Sequence, residues 1–210
     1  ITRTQDQRNF DLLKLAHSLG VKSYRLGGLK YKDGVHATES LKKYTVQLKE
    51  LAEWNREIGI TGMYQIHSGE WSFGASIWDI YLATKDLNPD ELGIQFDVRH
   101  ATTEGGRNWP DAFRLVQPQI RTLAIKDFKW AVDDGMWKLV NTPIGDGMVD
   151  LKRHFRMLKD TGTLYPMTLH VEHDLGGDDK GKRNPTMPKE EILSLIKYDL
   201  DKVREIWDAA

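Results

Sequence analysis

The chain contains no cysteine. That absence removes disulfides, thiolate nucleophiles and cysteine metal sites together, leaves the redox compartment open, and requires oxygen and nitrogen ligands for any metal. A surplus of one charge is also missing: 30 Lys and Arg stand against 31 Asp and Glu, a formal net charge of -1. Nucleic acids and acidic membranes attract clustered positive charge, so neither is expected as a partner, and a small molecule is. No window approaches the ~20 apolar residues of a membrane span, and Ile1 to Phe10 lack the charged-then-apolar order of a signal peptide. The three-glycine turn of a dinucleotide site is missing as well. Gly27-Gly28 and Gly105-Gly106 have neither the third glycine nor an immediately following helix.

What the sequence does have is an alternation between two periods. Phe10, Leu13, Ala16 and Leu19 repeat at helical spacing and stop at Gly20, and Val21 to Leu26 reads as a short strand. Thr38 is expected to cap a helix carrying Leu41, Tyr44, Leu48, Leu51 and Ile58, which ends at Gly59 before a strand from Ile60 to His67. Ser76 to Leu87 reads as a helix, Gly93 to Arg99 as a strand, Trp109 to Val116 as a helix and Ile120 to Lys126 as a strand. Asp127 to Val149 reads as a long decorated loop with a small hairpin at Asp134-Gly135 and a turn-rich Pro143 to Gly147. Asp150 is expected to cap a helix through Leu158, followed by a strand from Met167 to Glu172. Pro188 then opens a last helix with Ile192, Leu195, Val203 and Trp207 on its buried stripe. Strands beginning near residues 21, 61, 93, 120 and 167 have the spacing of βα units, so the pattern is parallel α/β within one domain, residues 1–210.

The functional argument rests on where the polar residues fall. Tyr64-Gln65-Ile66-His67, Phe96-Asp97-Val98-Arg99-His100, Ile125-Lys126-Asp127 and His170-Val171-Glu172-His173-Asp174 are each apolar first and charged or histidine-bearing last. In a β/α barrel those ends converge on the face that carries active sites. One Asp or His at a strand end is as often a helix cap as a catalytic group, but four coincidences carry more weight. Carboxylates gathered there need a cation, a shared proton or basic neighbours, for which Lys126, Arg99 and Lys129 are candidates. Trp71, Trp78, Trp109, Trp130 and Trp137 sit beside apparent loops, where rings either cap the core or stack on sugar faces.

The segments YQIHSG (64–69), GIQFDVRHATTEGG (93–106), LAIKDFKW (123–130), PIGDGMVD (143–150) and LHVEHDLGG (169–177) resemble the xylose-isomerase-like barrel superfamily, and more narrowly its sugar phosphate isomerase/epimerase branch. The resemblance implies a (β/α)₈ TIM barrel. Because such a barrel takes ~250 residues, the expectation is an N-terminal truncation to about five βα units, with Ile1-Thr2-Arg3 ending an earlier strand. Edge strands left unpaired in this way would favour a homo-oligomer.

The resemblance also implies one divalent metal, Mn²⁺, Mg²⁺ or Co²⁺, held by Glu, Asp, His and a second Glu. The matching positions here are Gln65, Asp97, Ala124 and Glu172. Asp97, Glu172 and, through its carboxamide oxygen, Gln65 are thus the implied metal ligands. Ala124 can ligate nothing, and His67, His100, Asp127 or His170 would have to substitute. A set so reduced in charge binds a cation weakly or not at all.

The implied function is a sugar or keto-sugar isomerase or epimerase, working by metal-assisted proton transfer beside a carbonyl. Glu172, Asp97 and His100 are its expected catalytic groups, and His67, Lys126, Arg99 and Trp130 its expected contacts to a small-molecule sugar. The alternative is a metal-poor sugar lyase or a non-catalytic sugar-binding barrel. The superfamily's endonuclease branch is disfavoured by seven scattered histidines and the near-zero charge. Lys126-Asp127 resembles a Lys-Asp pair of the family, which would steady a substrate oxygen or hold a loop. Gly145-Asp146-Gly147 resembles a structural turn.

Overall fold

A computed structural model describes residues 6–210, so the expectation for Ile1-Thr2-Arg3 lies outside the described residues. The chain divides into two compact units, Ile1–Leu123 and Ala124–Ala210.

In the first unit, α1 (Gln7–Ser18), β1 (Ser23–Arg25), α2 (Ala37–Ile58), β2 (Thr61–Gln65), α3 (Ile77–Thr84), β3 (Leu92–Asp97), α4 (Val98–Gly105) and α5 (Trp109–Val116) follow in order, and β4 (Ile120–Ile125) begins. The cap of α2 is His36 and not Thr38: its Nδ1 accepts the Thr38 backbone N–H at 3.3 Å. An imidazole nitrogen supplies the acceptor usually drawn from Ser, Thr, Asp or Asn. α2 buries Tyr44, Leu48, Leu51 and Ile58 along one stripe and stops at Gly59, whose φ of 82° suits glycine.

β1, β2 and β3 pair in parallel, with Ser23 opposite Thr61 and Arg25 opposite Met63, then Gly62 opposite Leu92 and Gln65 opposite Gln95. β4 lies beside β3, giving the order β1-β2-β3-β4 in this unit. The parallel register brings the C-terminal ends of β1, β2 and β3 to one edge. Tyr64, Phe73, Ile80, Ile94, Phe96 and Phe113 form the core above and below these strands.

β3 is shorter than its apolar run suggested. The Asp97 side chain accepts the His100 backbone N–H at 3.1 Å, which makes it the cap of α4 and turns the chain out of the strand. Arg99 and His100, read from sequence as a strand end, therefore belong to the first turn of a helix.

The second unit takes up the end of β4 and continues with β5 (Asp127–Asp133), β6 (Met136–Thr142), α6 (Leu151–Asp160), β7 (Met167–Leu169) and α7 (Lys189–Asp208). β7 stands beside the end of β4, where the His170 N–H donates to the Ile125 carbonyl at 2.9 Å. The stretch read as mostly irregular is a seven-rung antiparallel hairpin, β5 on β6, from Asp127 opposite Thr142 to Asp133 opposite Met136. Asp134 and Gly135 make its two-residue turn with φ of 50° and 74°, the left-handed pair that matches strand twist. Asp150 caps α6 as expected, accepting from the Arg153 N–H. Pro188 occupies the cap of α7, one residue before its first turn.

Candidate active site

In the first unit a chain of polar side chains crosses the ends of three strands. Arg25, the last residue of β1, donates from Nη1 to Gln65 Oε1 at 2.6 Å. Gln65, the last of β2, donates from Nε2 to Asp97 Oδ2 at 2.8 Å. Asp97, the last of β3, is 0% exposed, and His100 Nε2 lies 3.6 Å from the same Oδ2. A buried carboxylate needs such donors, since losing water without replacing its hydrogen bonds costs several kcal/mol.

Tautomers follow from the partners. His100 Nδ1 receives the Ser68 backbone N–H at 3.0 Å and faces Ser68 Oγ at 2.7 Å and Arg99 Nη1 at 3.0 Å. Its lone pair is therefore on Nδ1, and a neutral ring carries its proton on Nε2, toward Asp97. His67 has the reverse arrangement. Its Nδ1 meets the Gln65 carbonyl at 2.9 Å, and because a carbonyl only accepts, that nitrogen holds the proton and Nε2 the lone pair. The two rings lie 5.0 Å apart and both line a cavity of about 160 Å³ with Trp78, Glu104 and Asn108. Glu104 accepts the Gly69 N–H at 2.7 Å. Arg99 is buried and reaches Ser68 Oγ as well as His100.

The second unit holds the other expected residues. Lys126, 3% exposed, donates to Glu172 Oε1 at 2.8 Å, and His170 Nδ1 lies 3.7 Å from the same oxygen. Glu172's side chain is 39% exposed, so its carboxylate reaches solvent. Asp127 points elsewhere and accepts the N–H groups of Phe128, Gly145, Gly147 and Val149 at 2.8 to 3.1 Å. Burial pushes its carboxyl pKa up, against the pull of those four hydrogen bonds. Trp130 is exposed on the hairpin and, with Trp137 and Met148, lines an open hollow of about 560 Å³. Ala124 is fully buried.

The donor set does not fit the divalent ion that the sequence resemblance implies. Gln65's one ligating atom, Oε1, faces a guanidinium, and Ala124 has no donor. Asp97 is taken up by Gln65 and the α4 N-terminus, and Glu172 by Lys126. Among the described residues no group of three or more His, Asp or Glu side chains is arranged to hold a metal.

Three residues of these networks escaped sequence reasoning. Arg25 does not follow the apolar-then-polar rule of the later strand ends: Lys22 and Ser23 come before it and Leu26 after it, so β1 has no apolar run to mark a polar end. Ser68 and Glu104 had no local signal, because they reach the site through contacts across 32 and 35 residues.

The family model "Xylose isomerase-like TIM barrel" matches residues 5–198, and the chain belongs to that family. No curated protein matches. Among solved structures, the chain is similar to the D-psicose 3-epimerase with D-tagatose from Clostridium cellulolyticum H10. Identity there is 12%, with 96% of this chain and 70% of that one covered and a TM-score of 0.68. It is similar to the IOLI protein with a binding zinc atom at 17% identity, covering 97% and 73%, TM-score 0.73. It is also similar to a probable 3-DHS dehydratase, AsbF, from Bacillus anthracis, at 13% identity, covering 88% and 74%, TM-score 0.67. At these identities the likeness establishes the (β/α)-barrel fold.

Proposed function

We propose that this chain forms part of an isomerase or epimerase that moves a proton beside the carbonyl of a sugar or keto-sugar. The observation that carries the reading is the Arg25–Gln65–Asp97 hydrogen-bond chain at the ends of β1, β2 and β3, with His100 set against Asp97. Proton abstraction next to a carbonyl needs a base and a group that stabilises the oxyanion, and both must be held in place before substrate arrives. Glu172, solvent-reaching and next to Lys126, is assigned as the base. In the first unit Asp97 and His100 position the polar chain, Arg99 holds His100, and His67 offers Nε2, which carries its lone pair, to a substrate hydroxyl. In the second, Lys126 holds the Glu172 carboxylate and Trp130 offers a ring to a sugar face. Fold similarity to an epimerase crystallised with a ketohexose supports the substrate class.

The test is solvent-deuterium wash-in followed by ¹H NMR, with ketopentoses, ketohexoses and their phosphates. One deuterium should appear on the carbon beside the carbonyl, and Glu172→Gln should reduce its rate roughly 10²–10⁴-fold while leaving the circular dichroism unchanged. A correctly folded chain that labels none of these sugars would rule the reading out.

A metal-poor lyase is the second reading, favoured by the donor set above and by similarity to a dehydratase. It would begin with the same proton abstraction and then expel a β-hydroxyl, so an unsaturated product absorbing in the ultraviolet would replace the labelled sugar.

A further inference from the structure

We propose that Arg25 takes the place of the family's divalent ion: the site in the first unit is closed by a guanidinium, takes up no divalent cation, and uses the other N–H groups of Arg25 to hold the two coplanar oxygens of an α-hydroxycarbonyl substrate. The substrate half of this inference rests on the isomerase/epimerase reading; the cation half does not.

The orientation of Gln65 carries the argument. Its amide stands between a group that only donates, the Arg25 guanidinium at 2.6 Å, and a group that only accepts, the Asp97 carboxylate at 2.8 Å. Turning the amide over would set oxygen against oxygen and N–H against N–H, so the network determines which end is which. The one atom of Gln65 able to ligate a cation therefore points at a positive charge. A divalent ion placed there would meet like-charge repulsion and would have to break a charge-assisted hydrogen bond.

The same pattern appears independently in the second unit. The carboxylate of Glu172, the other acid implied as a ligand, is bonded by the ammonium of buried Lys126 at 2.8 Å. In each unit the acid that the resemblance gives to the ion is matched instead by a cation of the chain, one through Gln65 and one directly.

Arg25 is also able to serve a ligand. It is exposed, while Gln65 behind it is 2% exposed and Asp97 0%. A solvent-facing guanidinium anchored through a buried amide to a buried carboxylate is held in one orientation at little entropic cost on binding. Its planar fork matches two adjacent oxygens in one plane. When a base removes the proton from the carbon between hydroxyl and carbonyl, the C–H electron pair becomes the C=C bond of an enediol(ate). The former carbonyl oxygen takes the negative charge against Arg25. Return of the proton to the carbon it left, on the opposite face, restores the carbonyl and gives the epimer; return to the former carbonyl carbon gives the isomer once the hydroxyl proton has passed from one oxygen to the other. The step consumes no co-reactant.

The experiment compares EDTA-treated wild type, Asp97→Asn and the double variant Arg25→Ala/Gln65→Glu. Thermal midpoints are read with and without about 1 mM MnCl₂, a concentration at which weak cation sites fill. Wild type should not shift. The double variant, in which the guanidinium is gone and a carboxylate replaces the amide, should rise with Mn²⁺ because ligand binding stabilises the folded state. A wild-type rise that Asp97→Asn abolishes would overturn the proposal, and so would a folded double variant indifferent to Mn²⁺.

Deuterium wash-in on the same samples tests the substrate half. Wild type in EDTA should label substrate, Arg25→Ala should lose roughly 10²–10³-fold in rate, and Arg25→Lys should recover part of it. Labelling that requires added Mn²⁺ would refute Arg25 as the electrophile. No labelling in any sample would sink the isomerase reading instead, and the Mn²⁺ midpoints would still judge the cation.

Discussion

The carboxylate of Asp127 gathers four backbone N–H groups, and Gly147 lies so close to it that a Cβ there would sit 2.1 Å from Asp127 Oδ1. Adjacent Lys126 points to Glu172. In sequence these two residues read as one pair with two candidate uses; in the structure the acid holds the loop and the base meets the strand-end carboxylate. Alternation along an extended chain makes that division the expected one, since neighbours face opposite sides. Asp127→Asn keeps the shape but turns one acceptor into a donor aimed at backbone N–H groups. It should cost about 1–3 kcal/mol of stability, read from urea denaturation, and an unchanged midpoint would deny the carboxylate its anchoring role. Gly147→Ala should be at least as damaging, because the new methyl displaces the carboxylate itself.

At the scale of elements, the alternation of helix and strand was legible because apolar runs and stop glycines are local signals. Gly59, for instance, ends α2 where its position in the sequence says it should. The helix α4 was not legible, since it depends on one side chain: Asp97 caps it, and without that contact VRHATT extends a strand pattern plausibly. The long hairpin β5–β6 was underread for the complementary reason. Its strands are mostly exposed and lack the alternation that burial imposes, so only the Asp134-Gly135 turn gave it away.

The helix α7 shows what a stripe read from sequence leaves out. In the middle of its apolar face stands Asp199, 1% exposed, which accepts the Ile144 N–H at 2.9 Å and pairs with His173 Nε2 at 3.0 Å. Asp199→Ala should leave both donors without their acceptor. Hydrogen exchange at the Ile144 amide should then accelerate while amides deep in β3 keep their protection. Equal acceleration everywhere would mean that Asp199 supports global stability and not this local tie.

For the whole molecule, the buried acids set the response to pH. Asp79, bonded by the Tyr31 hydroxyl at 2.7 Å and the Gly74 N–H at 3.0 Å, has its pKa raised by burial, as does Asp127. A raised folded value means that the native state holds a proton that the unfolded chain has released. The stabilisation from that proton is complete below the ordinary carboxylate pKa near ~4. It is lost as pH rises through the folded values above it. Asp79→Asn cannot titrate, so the stability of this variant should fall less than that of wild type over the interval in which pH rises above the ordinary carboxylate value of about 4. Thermal midpoints across that interval check the slope, and parallel curves would show that Asp79 titrates alike in both states.

What sequence could not supply at this scale was the pairing of charges. Asp97, Gln65, Lys126, Glu172 and His100 were all singled out, yet Arg25 with Gln65 spans 40 residues and Lys126 with Glu172 spans 46. Partners so far apart along the chain leave no periodic trace. The charges were visible one by one, while the fact that cations of the chain already answer its acids emerged only from the fold.

On the β5–β6 hairpin, Trp137 opposes Val132 and Trp130 opposes Leu139, which sets both indoles on one face, 40% and 70% exposed for Trp130 and Trp137. Two solvated indoles this close form an optical probe that the chain already carries. Exposed indoles are expected to emit toward long wavelengths and to be open to iodide quenching, so whatever comes to cover that face should announce itself by a blue shift that a Trp130→Phe/Trp137→Phe variant lacks.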